Sequence, residues 1–164
     1  MRYFHLGATA GSALGGGVDA NVIRLGLGLY GMDRVSGREL DLRPVLEMRS
    51  RISSVRTIAL GEAVGYNATF HAAKTMTVAT VPVGYFEGVD RRLSGNGQLL
   101  VNDVPCPILG RVSMNVTSID VTGVPDVLLG DEVTVISADK NAINSAAALA
   151  ERCGTIPYEV LVHI

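Results

Sequence analysis

Between Leu42 and Ile136 the chain is cut by turn residues into short stretches of alternating apolar and polar character, and this punctuation is the signature of a mostly β fold. Arg43 to Leu60 interleaves Arg, Ser and Thr with Val45, Leu46, Met48, Ile52, Val55 and Ile58, which predicts one long twisted strand with a wet face. Lys74–Val81 alternates into a second strand that stops at Pro82. Gln98–Val101 and Cys106–Leu109 flank Asn102-Asp103 as a hairpin, and Val116–Val121 and Asp131–Ile136 supply two more strands. Helical spacing appears only late. Ile143, Ala146, Ala147, Ala150 and Cys153 predict one helix, with Asp139 or Asn141 as cap and Gly154 as stop. Thr155 then reads as the cap of a short helical turn through Pro157–Leu161.

The first 35 residues are different in kind. Tyr3-Phe4-His5-Leu6 reads as a short buried strand running into Gly7–Ser12, a small-residue turn whose backbone N–H groups suit an anion. Glycines 15, 16 and 17 form a flexible link to Asn21–Gly31, an almost wholly apolar run expected as a buried strand of a parallel sheet or barrel. One such unit cannot close a barrel, so the segment looks like a piece of something larger.

Charge and composition narrow the partners. With 164 residues, 48% of them apolar, the chain can bury a core in one domain with a small appendage. The formal charge of −2 comes with no basic run, so neither nucleic acid nor an anionic membrane is expected as a partner. No apolar stretch reaches the roughly 20 residues that span a bilayer, and Met1–His5 does not open a secretory signal, so the expectation is cytoplasmic. Cys106 and Cys153 lack CxxC spacing, and His5, His71 and His163 are scattered, so no metal site is expected.

Two residues stand out chemically. Tyr66 sits in Gly65-Tyr66-Asn67-Ala68-Thr69-Phe70, where Gly65 and Asn67 can form a tight turn that presents the phenol outward; the alternative is a ring packed on its own sheet. Arg24 interrupts an apolar run, which requires either an ion-pair partner or a ligand with lone pairs. Gly26 and Gly28 beside it would let a ligand or a second backbone come close.

Five motifs then fall into register: RLGLGLYG at 24–31, GYNATF at 65–70, PVGYFEG at 82–88, GRVSMN at 110–115 and PYEVL at 157–161. In order and spacing they resemble the C-terminal part of alanine racemase, a family with an N-terminal α/β barrel that holds pyridoxal phosphate (PLP) on a lysine, a C-terminal β domain, and a head-to-tail dimer. The resemblance implies that residues 1–38 are the last strands of that barrel and 39–164 the β domain, with the chain truncated at both ends. It implies a cytoplasmic isomerase that interconverts L- and D-alanine for peptidoglycan. Neither Lys74 nor Lys140 lies in a setting like the family's PLP lysine, so the chain alone is expected to be inactive.

Position by position, the resemblance makes Tyr66 the acid and base on one face of the substrate, reaching into the partner subunit's barrel. Arg24 becomes the hydrogen-bond donor to the PLP pyridine nitrogen, and Thr9, Gly26, Leu27 and Tyr158 the phosphate-binding positions. Met114 binds the substrate carboxylate through its backbone N–H, with Asn115 beside it. Tyr85, Arg91, Arg111 and Ile156 line the corridor by which a small zwitterion arrives. Asn115 stands where the family often has Asp, and Ala8-Thr9 where it often has Asn-Ser, departures that leave room for a racemase of serine or of a wider range of amino acids. A non-catalytic β interaction module is the reading from another class; the joint presence of Arg24, Tyr66 and Tyr158 argues against it.

Overall fold

The structure, a computed structural model, describes residues 2–13, 20–32 and 41–164. Glycines 15–17, predicted as a flexible link, lie outside the described residues. The chain divides into two compact units, Met1–Leu46 and Glu47–Ile164.

The described residues of the first unit form a short helix, α1 (Thr9–Ala13), and a 3₁₀ turn at Leu27–Tyr30. Among them the one strand-like pairing is a parallel bridge between His5 and Val22. Asn21 holds the two segments there: its Oδ1 accepts from Phe4 N at 2.8 Å and its Nδ2 donates to the Arg2 carbonyl at 3.0 Å. The buried strands expected at Tyr3–Leu6 and Asn21–Gly31 do not form. A single bridge offers no sheet face to cover them, so Tyr3, Phe4, Leu6, Ile23, Leu25 and Leu29 are exposed, and Arg24 with them. Leu27 is the apolar residue of this run that is fully buried.

The second unit is built on a seven-stranded antiparallel sheet in the order β1-β9-β6-β7-β8-β5-β2. Its strands are β1 (Met48–Arg51), β2 (Ser54–Ile58), β5 (Met76–Val81), β6 (Gln98–Val101), β7 (Val104–Leu109), β8 (Thr117–Asp120) and β9 (Glu132–Ile136). A two-stranded hairpin of β3 (Ala63–Val64) and β4 (Phe70–His71) carries the Tyr66 turn. The expected long strand at 43–60 is two strands, because its hydrogen-bonding partner changes midway. Ile52 N donates to Asp131 O on the β9 side, whereas the next residue, Ser53 N, donates to Thr80 O at the end of β5. Consecutive residues thus occupy the two ends of the strand order, and the sheet curls round its core. Val78, Val81, Leu99, Val101, Ile119, Val133 and Ile136 fill that core.

The 98–109 hairpin forms as expected, with Asn102 and Asp103 both at positive φ, the geometry that a two-residue primed turn demands. Helix α2 (Ala146–Arg152) lies within the predicted stretch, but its cap is Ser145, whose hydroxyl accepts from Ala148 N, rather than Asp139 or Asn141. Helix α3 (Pro157–Val162) starts at Pro157 with Ile156 as cap residue, and the Thr155 hydroxyl bonds to the Glu159 carboxylate instead of capping the backbone. No helix among the described residues is long and apolar enough to cross a membrane.

Candidate functional site

Of the site residues expected in the second unit, Tyr66, Tyr85, Arg91, Arg111, Met114 and Asn115 lie on or beside one strap, Gly110–Asn115, that leaves β7 and enters β8. At its start it meets the Tyr66 turn. Gly65 has φ 80°, and a Cβ there would sit 3.3 Å from Arg111 N. Asn67 and Ala68 follow at φ 61° and 48°, so three of the four positions from Gly65 to Ala68 have a positive φ. Such a turn leaves the Tyr66 side chain no sheet to pack on, and the residue is 69% exposed. The hairpin beneath is fixed by a small core of Ile58, Val64, Ala72, Met76, Val78 and Leu109, with Phe70 packed against it.

In its middle the strap meets the Arg91 turn. Val112 N donates to Ser94 Oγ at 3.0 Å, and that hydroxyl donates to Arg91 O at 2.5 Å. At its end it interlocks with the Gly84–Gly88 turn. Tyr85 N donates to Ser113 O at 3.0 Å and Phe86 N to Met114 O at 2.9 Å. Gly84 is required at this crossing, since a Cβ would overlap the Ser113 and Met114 carbonyls. The Met114 N–H has no acceptor among the described residues.

Glu87 knits this crossing together, and the sequence reading passed it over. One carboxylate oxygen accepts from Gly84 N at 2.8 Å and the other from Asn115 Nδ2 at 2.7 Å. The Asn115 amide holds the Glu87 carboxyl below its usual range. The spacing Gly84-x-x-Glu87 was the available signal, because a glutamate three residues into a turn is placed to bind the N–H at its start.

Tyr85 and Arg91 line an open groove of about 350 Å³ together with Gly88, Asp90 and His163. Ile156 and Tyr158, both partly exposed, flank Pro157 at the start of α3. That helix is fastened to the Arg91 turn by Arg92, which pairs with Asp90 at 2.6 Å and with Glu159 at 2.9 Å. Both carboxyls lie below their usual range, Asp90 through its bond with Arg92 and Glu159 through the Thr155 hydroxyl. Asp90, Glu159 and His163 do converge, which their scatter in sequence hid, but the Arg92 guanidinium already serves both carboxylates as their cation.

Thr9, Arg24, Gly26 and Leu27 belong to the first unit. Thr9 is 4% exposed, and its Oγ1 accepts from Gly26 N at 3.2 Å and Gly28 N at 3.1 Å. Gly28 is packed so closely that a Cβ would meet Thr9 Cγ2 at 2.8 Å. With its oxygen taken twice, the Thr9 hydroxyl keeps its hydrogen for an acceptor, and Leu27 N–H has no acceptor among the described residues. The Thr9 hydroxyl hydrogen, the Leu27 N–H and the exposed Arg24 guanidinium, for which no partner is found among the described residues, are donors of the kind that suits an anionic cofactor with an acceptor nitrogen.

Residues 45–164 match the family described as alanine racemase, C-terminal domain. The alanine racemase of Sorangium cellulosum is 42% identical over 148 residues, covering 88% of this chain and 39% of that protein. That of Leptospira interrogans is 36% identical over 170 residues, covering 98% and 44%. Among solved structures, alanine racemase from Bacillus anthracis with bound L-Ala-P superposes with a TM-score of 0.88 at 31% identity, covering 99% of this chain and 42% of that one. Alanine racemase from Bartonella henselae with covalently bound pyridoxal phosphate gives 0.87 at 27% identity, covering 99% and 45%. The chain belongs to the alanine racemase family and carries its C-terminal domain. It spans about two fifths of the length of the curated relatives it matches.

Proposed function

We propose that this chain is part of a PLP-dependent isomerase that interconverts L- and D-alanine, and that it contributes the acid–base tyrosine, the substrate-carboxylate donor and the access corridor. The presentation of Tyr66 carries the reading: an exposed phenol on a strained turn whose base is braced by a buried core and by the backbone of Arg111. A tyrosine placed for packing would not need three positive-φ residues around it.

Racemisation takes a proton from one face of the α-carbon and returns one to the other, so two groups must stand on opposite sides. PLP, when bound, supplies the electron sink that makes that proton removable. Tyr66 Oη holds or receives the proton on its face; the opposite face falls to a lysine that lies in another part of the enzyme. Met114 N–H orients the carboxylate. Arg24 would donate to the cofactor's ring nitrogen, and Thr9, Gly26 and Leu27 would hold its phosphate, Thr9 through its remaining hydroxyl hydrogen and Gly26 by shaping the backbone; the resemblance assigns Tyr158 to the phosphate as well. Tyr85, Arg91, Arg111 and Ile156 screen what enters, and a homodimer completes the site by presenting Tyr66 to the partner subunit's barrel.

The test is Tyr66→Phe in the full-length enzyme. Removing one hydroxyl lowers alanine racemisation by about 10²–10⁴, the usual worth of a positioned acid–base group. In deuterated water the variant still exchanges the α-proton of D-alanine and exchanges that of L-alanine far more slowly. Equal exchange of both enantiomers at near wild-type rates would return Tyr66 to a packing role. Assaying serine beside alanine decides the substrate, because Asn115 in place of a carboxylate is the feature of this chain that favours a wider range.

A further inference from the structure

We propose that Glu87 is a positioning residue for substrate binding: through the Asn115 amide and the Gly84 N–H it sets the backbone donor at Met114. The inference rests on the reading above that Met114 N–H receives the substrate carboxylate. Its own warrant is geometric. Met114 lies in an exposed turn between strands, where nothing in a sheet ladder fixes the direction of its N–H. The Met114 N–H shares its peptide plane with the Ser113 carbonyl, which accepts from Tyr85 N, while the Met114 carbonyl accepts from Phe86 N and Ser113 N donates to Val116 O across the turn. The direction of that N–H is therefore set by where the Gly84–Gly88 turn places its own N–H groups.

The Glu87 carboxylate ties that turn to the strap. One oxygen grips Gly84 N at the root of the facing turn and the other grips Asn115 Nδ2, one residue beyond Met114. A charged acceptor shared between two donors makes stronger bonds than a neutral one. Asn115 is therefore committed: its Nδ2 points at Glu87, so it acts on the substrate through the turn it stabilises. The same carboxylate fixes the root of the turn that presents Tyr85, so corridor and carboxylate donor are set together.

The experiment uses the full-length holoenzyme with Glu87→Ala, Glu87→Gln, Asn115→Ala and the double alanine variant. It reads KM and kcat for alanine and, without turnover, the affinity for propionate, which is alanine without its amine. Glu87→Ala raises KM and weakens propionate by about tenfold each, with kcat within about twofold, the scale of one lost charge-assisted bond. Asn115→Ala does the same, and the double variant is no worse than the worse single, because the pair acts as one unit. Glu87→Gln stays near wild type, since its amide oxygen still accepts from Gly84 N and Asn115 can turn its own oxygen to the new amide. Unchanged KM and propionate affinity in Glu87→Ala, or losses that multiply in the double variant, would overturn the proposal. Should Glu87→Ala fail to fold, the exposed Asn115→Ala decides by the same two readouts. If the unsubstituted enzyme neither racemises alanine nor binds propionate, the racemase reading itself fails; normal wild-type values with an indifferent Glu87 sink only this inference.

Discussion

The Thr117 hydroxyl donates to the Val83 carbonyl at 2.6 Å inside the core, where Thr117 has no exposed surface. This bond ties the first residue of β8 to the exit of β5, and the Gly84–Gly88 turn hangs from that exit. Thr117→Val keeps the shape and removes the donor, leaving a buried carbonyl without that partner. The expected cost is about 1–3 kcal/mol, read by denaturant unfolding. A change within error would mean that the carbonyl finds another donor and that the turn is held by its crossing with the strap alone.

Gly84→Ala tests that crossing directly. The added methyl overlaps two carbonyl oxygens of the strap, and backbone cannot yield as a side-chain tip does. Destabilisation of about 1–3 kcal/mol is expected, as for other overpacked sites, together with a rise in KM of the full-length enzyme. Ala at Gly123, where a Cβ meets nothing, serves as the control and leaves both unchanged.

Acid should loosen the second unit through three carboxylates. Glu87, Asp90 and Glu159 are each held below the usual range by Asn115, Arg92 and Thr155 respectively. A depressed carboxylate adds stability that is fully present above its ordinary value and is lost as the pH falls through its lower folded value. The thermal midpoint is therefore expected to fall below about pH 4, and Arg92→Gln to flatten that fall. A midpoint independent of pH in the acid range would show that solvent screens these contacts.

Both cysteines should be silent at neutral pH. Burial pushes the Cys106 thiol up to about 11 and raises that of Cys153, and both side chains are buried. Since the thiolate is the reactive form, an alkylating reagent labels neither in the folded chain and both in denaturant. Fast labelling of Cys106 under native conditions would require β7 to open.

By itself this chain should not racemise alanine with PLP added. Its only lysines are Lys74 and Lys140, neither in a motif like that of the family's cofactor lysine. Measurable D-alanine formation that disappears on Lys74→Arg would show that the chain carries a second base of its own.

The sequence alone determined the strands at 76–81, 98–101, 117–120 and 132–136 and the helix at 146–152, because alternation, turn pairs and helical spacing are local properties of the chain. It also determined the family, since five motifs in register survive whatever their surroundings. Only the tertiary structure decided where Arg43–Leu60 breaks, because Ile52 and Ser53 differ in partner and not in propensity. The placement of Asn21–Gly31 was decided the same way: an apolar run is buried only where a sheet exists to cover it, and one bridge does not make a sheet. The convergence of Tyr66, Arg91, Tyr85 and Met114 on the strap at 110–115, and the grip of Glu87 on Asn115, join residues far apart in sequence. Such contacts follow from how the curled sheet brings its connecting turns together, and no local pattern encodes them.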